Sequence, residues 1–237
     1  SSSVVREETT NLFYYNRSEM DSSGRSVPFH YTPGCITRLL ADTLHRTVGY
    51  WPDALPPGVD SVTLYLSTPD TLYRRLMQDS DNFVAEQLLL MVSDERFGYQ
   101  HTRSAIAHVR DSLLADLPDA PQWWDGSGLS RYNLFTPRSV VAVLEKIYRE
   151  LPPERLFDIF PAGGQSGTIR SWYGAPDGPY VFAKTGTLRN KHCLSGYLRT
   201  RSGRILIFSF MHNNYVTGSN PLKREMTRVL EFLREAY

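Results

Sequence analysis

Long apolar runs, cysteine and net charge are all scarce in this sequence, and each shortage excludes a class of protein. No run approaches the roughly 18 to 20 apolar residues that a bilayer-spanning helix needs. The net charge is +1, so nothing favours a nucleic-acid partner. The two cysteines, Cys35 and Cys193, form no Cys-x-x-Cys pair and no His/Cys ligand spacing, which argues against a metal site. We expect both to be buried small hydrophobic residues. The sequence does not decide whether the two cysteines form a disulfide bond.

The overall composition is typical of a globular protein, with 41% hydrophobic and 22% charged residues. Helical periodicity dominates the first two thirds of the chain, and strand-like patterns dominate the last third. The predicted elements are strands at 11–16, 27–31 and 62–66, helices from 33, 67, 83, 106 and 136, strands at 180–188, 194–200 and 204–212, and a helix from 220. We expect one apolar face of the first helix to be buried, and the helix at 83–92 to be buried on most sides. The order predicts an α+β fold with a helical part beside an antiparallel sheet.

One predicted strand carries a lysine, two threonines and a glycine in a row. Lys184 offers a positive charge that can attract a carboxylate and polarise a neighbouring hydroxyl group. Thr185 and Thr187 offer hydroxyl groups to a carboxylate, and the N–H of Thr187 can serve as an oxyanion donor. Gly186 has no side chain, so a substrate backbone can lie directly against the strand. For this motif alone, the simpler interpretation is an exposed lysine at a strand end.

A second polar motif, Ser80-Asp81-Asn82, falls in the break between two predicted helices. The Ser80 hydroxyl group can pass a proton, and the Asn82 amide can hold a substrate carbonyl. For this motif alone, the simpler interpretation is a helix N-cap, because serine, aspartate and asparagine are the best capping residues. At average composition, the probability that one chain contains both motifs by chance, one at a helix junction and the other on a strand before a hairpin, is on the order of one in a thousand.

A loop rich in glycine, serine and aromatic residues separates the two motifs. Asp125 and Ser127 begin its Asp-Gly-Ser-Gly-Leu-Ser segment at 125–130. The simpler interpretation is a loop whose side chains hydrogen-bond its own backbone. The alternative is a loop beside a binding site.

These segments, in this order, resemble the second and third active-site motifs of penicillin-binding proteins and serine β-lactamases. The resemblance is more specific to the S13 family, the class C low-molecular-mass penicillin-binding proteins, which are D-alanyl-D-alanine carboxypeptidases and endopeptidases. The segments that carry it are 80–82, 125–133, 161–164, 183–187 and 194–197.

This resemblance implies a penicillin-binding-protein/serine β-lactamase-like transpeptidase fold, an antiparallel sheet with helices on both sides plus a helical subdomain. Residues 60–237 would be the C-terminal portion of that domain, and residues 1–59 the C-terminal part of an inserted subdomain. Catalytic roles fall on Ser80, which relays a proton, and on Lys184; Asn82 orients the substrate. The terminal D-alanine carboxylate binds at Lys184, Thr185 and Thr187. The family also places Asp125 and Ser127 near the site, without an assigned chemical step.

The chain departs from the family in one respect, since no serine is followed by a lysine three residues on. The Ser-x-x-Lys motif supplies the nucleophile in the family. We therefore expect this chain to be a C-terminal portion of a longer protein, incomplete at its N-terminus and inactive by itself. One alternative is a non-catalytic module with a transpeptidase-like fold that binds cell-wall peptide or protein. A weaker alternative is a β-lactamase, against which the 125–133 loop argues.

The resemblance also implies partners and a location. The substrate would be a peptidoglycan stem peptide that ends in D-Ala-D-Ala, and β-lactams would acylate the same nucleophile. No cofactor is needed for this chemistry. The location would be the periplasm or another site outside the cytoplasmic membrane. A three-stranded sheet without further strands should leave an apolar face exposed, so we also expect association, including a homo-oligomer.

Overall fold

The structure, a computed structural model, describes residues 4–7, 10–16, 30–54, 57–59 and 68–237. The chain divides into two compact units, Ser1–Tyr65 and Leu66–Tyr237. Within the described ranges, every helix is too short or too polar to cross a membrane. The strands predicted at 27–31 and 62–66 lie largely or wholly outside these ranges.

The first unit contains a small hairpin and one helix. The hairpin pairs β1 (Val4–Arg6) with β2 (Phe13–Tyr15) in antiparallel register. The predicted helix is confirmed as α1 (Pro33–Leu44), which Thr32 caps by accepting the Cys35 N–H. Its predicted burial is wrong, because α1 has no buried residue. A hairpin of six residues is the only other regular element described in this unit, and it is too small to cover a three-turn helix.

The second unit is built on a three-stranded antiparallel sheet of order β3-β4-β5. Its strands are β3 (Val181–Leu188), β4 (Lys191–Arg199) and β5 (Ile205–Asn213), which confirms the three predicted strands. Strand β4 begins three residues earlier than predicted, because Asn190 takes the left-handed conformation (φ 63°) and permits a two-residue turn. Gly203, with φ 85°, supplies the second turn as predicted.

Helices cover both faces of this sheet, as the family resemblance implies. The expectation that an apolar sheet face is left exposed was therefore wrong. On one face, Met226 and Leu230 of α7 (Asn220–Ala236) pack with a cluster that includes Leu194. On the other face, α5 (Pro137–Glu150) and α6 (Pro153–Ile159) bury Leu144 and Leu156 against Phe182 and Tyr197. Helix α6 was not predicted, although its proline at the first position and an acidic first turn are helix-start signals.

The remaining helices are α2 (Asp70–Gln78), α3 (Asn82–Phe97) and α4 (Thr102–Ser112). The break predicted at residues 78–82 is therefore confirmed. Helix α3 is not buried on most sides as predicted, because Phe83 is 71% and Met91 is 52% exposed. Its buried stripe, with Leu89, meets Ala105 and Ile106 of α4. Helix α4 and the loop at 126–127 cover only part of the α3 surface, so Phe83 and Met91 stay in contact with solvent.

Replacement of Gly196 by alanine tests the packing of the sheet. A Cβ at position 196 would lie 2.2 Å from the Phe182 carbonyl oxygen and 2.6 Å from Ala183 Cα. We expect Gly196→Ala to lower the free energy of unfolding by about 2 kcal/mol or more, measured by urea denaturation. Gly218→Ala is the control, since a Cβ there meets nothing within 4 Å. Equal stabilities of the two variants would contradict this packing.

Candidate active site

The Ser80-Asp81-Asn82 motif turns the chain sharply from α2 into α3. Ser80 has φ 55°, a left-handed conformation that is costly for a residue with a side chain. Asp81 caps α3 by accepting the Val84 N–H at 3.1 Å, and it also accepts a 2.8 Å bond from Arg75 Nε. The hydrogen bond from Arg75, and to a smaller extent the one from the Val84 N–H, lowers the pKa of Asp81. The capping interpretation thus holds for Asp81, while Ser80 and Asn82 on either side line a cavity.

Lys184 connects the two motifs. Its Nζ atom donates to Ser80 Oγ at 2.7 Å and to the Thr185 carbonyl oxygen at 2.8 Å. The side chain is half-buried, and this burial lowers the pKa of Lys184 below its ordinary value of 10.5. Residues that are 104 positions apart in the sequence are therefore in direct contact. The simpler interpretation of Lys184 as an exposed strand-end lysine does not describe this geometry.

One edge of β3 is open beyond Ala183. The Ala183 N–H donates to the Pro161 carbonyl oxygen at 3.0 Å, and the Gly163 N–H donates to the Val181 carbonyl oxygen at 2.8 Å. The backbone of alternate residues points to the same edge of a strand, so the N–H and C=O groups of Thr185 and Thr187 also face this edge. No described strand pairs with them there. The N–H groups of Thr185 and Thr187 and the C=O group of Thr187 thus have no described strand partner where this edge borders the cavity, whereas the Thr185 C=O group accepts from Lys184 Nζ.

The cavity has a volume of about 760 Å³ and brings most of the predicted site residues together. Of the predicted residues it is lined by Ser80, Asn82, Ser127, Lys184, Thr185, Gly186 and Thr187. Positive charge also reaches it from Arg131, Lys191 and Lys223. In the described part of the chain, no three His, Cys, Asp or Glu side chains cluster in a way that could hold a metal ion.

Packing within the chain does not explain the glycine at position 186. A Cβ there would meet only Cys193 Cβ, at 3.9 Å, which is an ordinary contact. Gly186 is exposed on the cavity wall and its φ is not in the left-handed region. The absence of a side chain therefore leaves room for a molecule outside the chain.

The two threonines beside Gly186 have side-chain partners that sequence reasoning missed. Thr185 Oγ1 donates to Thr168 Oγ1 at 2.8 Å, and Thr187 Oγ1 lies 2.8 Å from Nδ1 of His192. Thr168 follows a second glycine-rich segment, at 161–167, and its position on the cavity wall depends on the path of that segment. His192 is recognisable only when the strand register is known, since it lies opposite Thr187 on β4.

Asp125 organises the loop at 125–133 and is absent from the cavity lining. Its carboxylate accepts the N–H groups of Gly128 at 2.7 Å and Ser130 at 2.6 Å, and it also accepts Asn133 Nδ2 at 2.8 Å. This is the self-bonded loop of the simpler interpretation. Ser127, by contrast, lies on the cavity wall.

Helix α3 anchors this loop through Glu86, a residue that sequence reasoning did not single out. The Glu86 carboxylate accepts the N–H of Ser127 at 2.9 Å and the N–H of Gly126 at 3.2 Å. The only signal in the sequence is its spacing, one turn after Asn82 and on the same side of α3. A Cβ at position 126 would lie 2.6 Å from the Ala85 carbonyl oxygen, so glycine is required for this close contact.

Both cysteines are free thiols and half-buried, so the expectation of full burial was wrong. Cys193 lies opposite Gly186 in the sheet register and lines the cavity, which leaves its side chain partly uncovered. Cys35 lies on α1, which has no buried residue.

The fold is similar to that of a solved penicillin-binding protein. Penicillin binding protein 4 from Haemophilus influenzae, in a complex with a β-lactam, superposes with a TM-score of 0.63 at 28% identity. The superposition covers 70% of this chain and 41% of that chain. The predicted fold class, an α+β fold of the penicillin-binding-protein type, is therefore confirmed.

The sequence relationships are more specific. The sequence model of the D-Ala-D-Ala carboxypeptidase 3 (S13) family matches residues 61–236. The D-alanyl-D-alanine carboxypeptidase DacB of Haemophilus influenzae is 30% identical over 189 residues, 73% of this chain and 38% of that protein. The carboxypeptidase DacB of Mycolicibacterium smegmatis is 31% identical over 150 residues, 60% of this chain and 33% of that protein. The chain therefore belongs to the D-Ala-D-Ala carboxypeptidase 3 (S13) family, and it spans well under half the length of these two relatives.

A pair of substitutions measures the backbone strain at Ser80. Ser80→Ala and Ser80→Gly both remove the hydroxyl group that Lys184 contacts, but only glycine adopts φ 55° without steric cost. We expect Ser80→Gly to be more stable than Ser80→Ala by about 1 kcal/mol, measured by urea denaturation. A greater stability of Ser80→Ala would show that the left-handed turn is not under strain.

Proposed function

We propose that this chain carries the carboxylate-binding and proton-relay part of a serine-type D-Ala-D-Ala carboxypeptidase or endopeptidase site. The observation that carries the proposal is the 2.7 Å hydrogen bond from Lys184 Nζ to Ser80 Oγ at one wall of the cavity. The proposed substrate is a peptidoglycan stem peptide that ends in D-Ala-D-Ala, and β-lactams are proposed ligands of the same site. The names of the relatives and the β-lactam complex of the similar structure support this choice. The proposed location is the periplasm or elsewhere outside the cytoplasmic membrane.

The carboxylate of the substrate binds at the open edge of β3 in this proposal. Lys184 supplies the positive charge, and the hydroxyl groups of Thr185 and Thr187 supply hydrogen bonds. Gly186 lets the peptide backbone approach the strand, which accounts for a glycine that internal packing does not require. The side-chain amide of Asn82 has no hydrogen-bond partner among the described residues, so it is available to orient a substrate carbonyl group.

Acyl transfer adds two requirements, an oxyanion donor and a proton path. The unpaired N–H of Thr187 at the open edge of β3 is a proposed donor to the oxyanion that forms when a serine attacks the carbonyl between the two D-alanines. The proton that leaves the attacking hydroxyl group must reach the amine of the departing D-alanine. Ser80 relays it, with its hydroxyl group polarised by the bond from Lys184. Water then hydrolyses the acyl-enzyme.

The nucleophile itself is not among these residues. Since no Ser-x-x-Lys occurs in this sequence, the proposal assigns the attacking serine to a segment outside it. Residues 60–237 are then the C-terminal portion of the transpeptidase domain, and residues 1–59 belong to an inserted subdomain. The same absence favours a second candidate function, a binding module that recognises D-Ala-D-Ala peptides without reacting with them.

The test is a comparison of two peptides and two proteins. An N-acylated peptide ending in D-Ala-D-Ala is titrated into the 237-residue chain and into Lys184→Met, followed by NMR shifts of the β3 amide groups. The same peptide with a C-terminal amide replaces the carboxylate by a neutral group. We expect Lys184→Met to weaken binding of the free-acid peptide about 10- to 100-fold, because a hydrogen bond to a charged group is lost. Binding of the amide should change little.

Lys146→Met is the matched control, since Lys146 forms a surface ion pair with Asp116 and lies outside the cavity. Its affinity for both peptides should equal that of the unmodified chain. Equal losses for the free acid and the amide in Lys184→Met, or no binding of the free acid to the unmodified chain, would contradict the proposal.

A further inference from the structure

Next to the proposed carboxylate site is a buried histidine to which no step has been assigned. His192 is the second residue of β4 and lies directly opposite Thr187 of β3. The residue is 1% exposed, and its Nδ1 atom lies 2.8 Å from Thr187 Oγ1. Thr187 itself is exposed on the cavity wall. The buried imidazole thus contacts a hydroxyl group on the cavity wall, and His192 is itself among the lining residues.

The other ring nitrogen of His192 has no hydrogen-bond partner among the described residues. Nε2 is buried, and so is the unpartnered Nε2 of His212, the residue opposite His192 on β5. Two titratable groups on adjacent elements act on His192: His212 on β5 and Lys223 on α7. Neither is an acid, so among the described residues no carboxylate compensates a positive charge on the His192 ring. Burial is the main cause that lowers the pKa of His192, and the nearby Lys223 and His212 lower it further. The ring is therefore neutral at neutral pH.

A neutral imidazole carries one proton, and its position decides what Thr187 can do. With the proton on Nε2, the ring accepts the hydroxyl hydrogen of Thr187, and a buried N–H is left without a partner. With the proton on Nδ1, the ring donates to Thr187 Oγ1, and the hydroxyl hydrogen is free to point into the cavity. Orphaned buried N–H groups are rarer than unsatisfied acceptors, which favours the second arrangement.

The hydrogen bond of the neighbouring Thr185 hydroxyl group shows why the proton position on His192 is important for ligand binding. Thr185 Oγ1 donates its hydrogen to Thr168 Oγ1 at 2.8 Å, so it must exchange this partner before it can donate to a carboxylate. A carboxylate ligand only accepts hydrogen bonds, so it needs a hydroxyl group whose hydrogen is not committed elsewhere. Thr187 is such a group only if His192 donates to it.

We propose that His192 is a positioning residue whose neutral ring, protonated on Nδ1, holds the Thr187 hydroxyl group as a hydrogen-bond donor to the substrate carboxylate. This inference rests on the proposed function for its ligand, but not for the state of the ring. It assigns the control of one contact in the cavity to a buried side chain on the same face of the sheet as Thr187.

The first experiment needs no ligand. Nitrogen-15 NMR of the ring in the 237-residue chain distinguishes a protonated from an unprotonated Nδ1. We expect protonated Nδ1 and unprotonated Nε2 at pH 7, and a shift of the Nδ1 signal in Thr187→Val. A proton on Nε2, or ring signals that are unchanged in Thr187→Val, would overturn the proposal whatever the ligand.

The second experiment uses the free-acid and amide D-Ala-D-Ala peptides. His192→Leu removes the donor and should weaken free-acid binding about 3- to 10-fold, while amide binding should change little. His192→Asn, whose amide N–H lies near the position of Nδ1, should restore most of the affinity. His108→Asn on α4, outside the cavity, is the control and should leave binding unchanged.

The outcomes separate the two proposals. Failure of the unmodified chain to bind the free-acid peptide contradicts the proposed function, while the ring state is still decided by NMR. Normal free-acid binding by His192→Leu, or equal weakening for both peptides, contradicts the role of His192. If His192→Leu does not fold, the NMR result and the affinity of His192→Asn decide.

Discussion

The site depends on one contact, in which the ammonium group of Lys184 meets the hydroxyl group of Ser80. Each partner is held by a different part of the second unit. Strand β3 is fixed by its buried start, where Val181 and Ala183 are fully covered. Ser80 is fixed by the turn between α2 and α3, whose left-handed conformation only a well-packed surrounding can maintain. The sheet and the helical part must both be in place before the cavity has its shape.

Polar residues around the cavity divide into those that are already satisfied and those that are available. Asp81, Asp125 and Glu86 have their carboxylates occupied by backbone N–H groups, so they hold the chain in position. The side-chain amide of Asn82 has no hydrogen-bond partner among the described residues, and the backbone groups of Thr187 face an edge that no described strand pairs with. An enzyme site needs both kinds, because available groups recognise a ligand only when rigid ones fix their geometry.

Sequence reasoning predicted the three strands, the break before α3 and both motifs, because each has a strong local signal in periodicity, capping or composition. It could not predict that His192 contacts Thr187, since that pair depends on strand register across a turn whose length Asn190 determines. It was wrong about the burial of α1 and α3, since periodicity shows which face of a helix is apolar but not whether another element covers it. Phe83, 71% exposed, is an example.

The most direct test of the central claim is a crystal structure of the 237-residue chain with benzylpenicillin. The account predicts an intact β-lactam ring, bound without a covalent bond, with its carboxylate within hydrogen-bond distance of Lys184 Nζ and a threonine hydroxyl group of β3. A ring-opened ester on any serine of this chain would contradict the assignment of the nucleophile to another segment. A carboxylate bound away from Lys184 would contradict the assignment of the cavity.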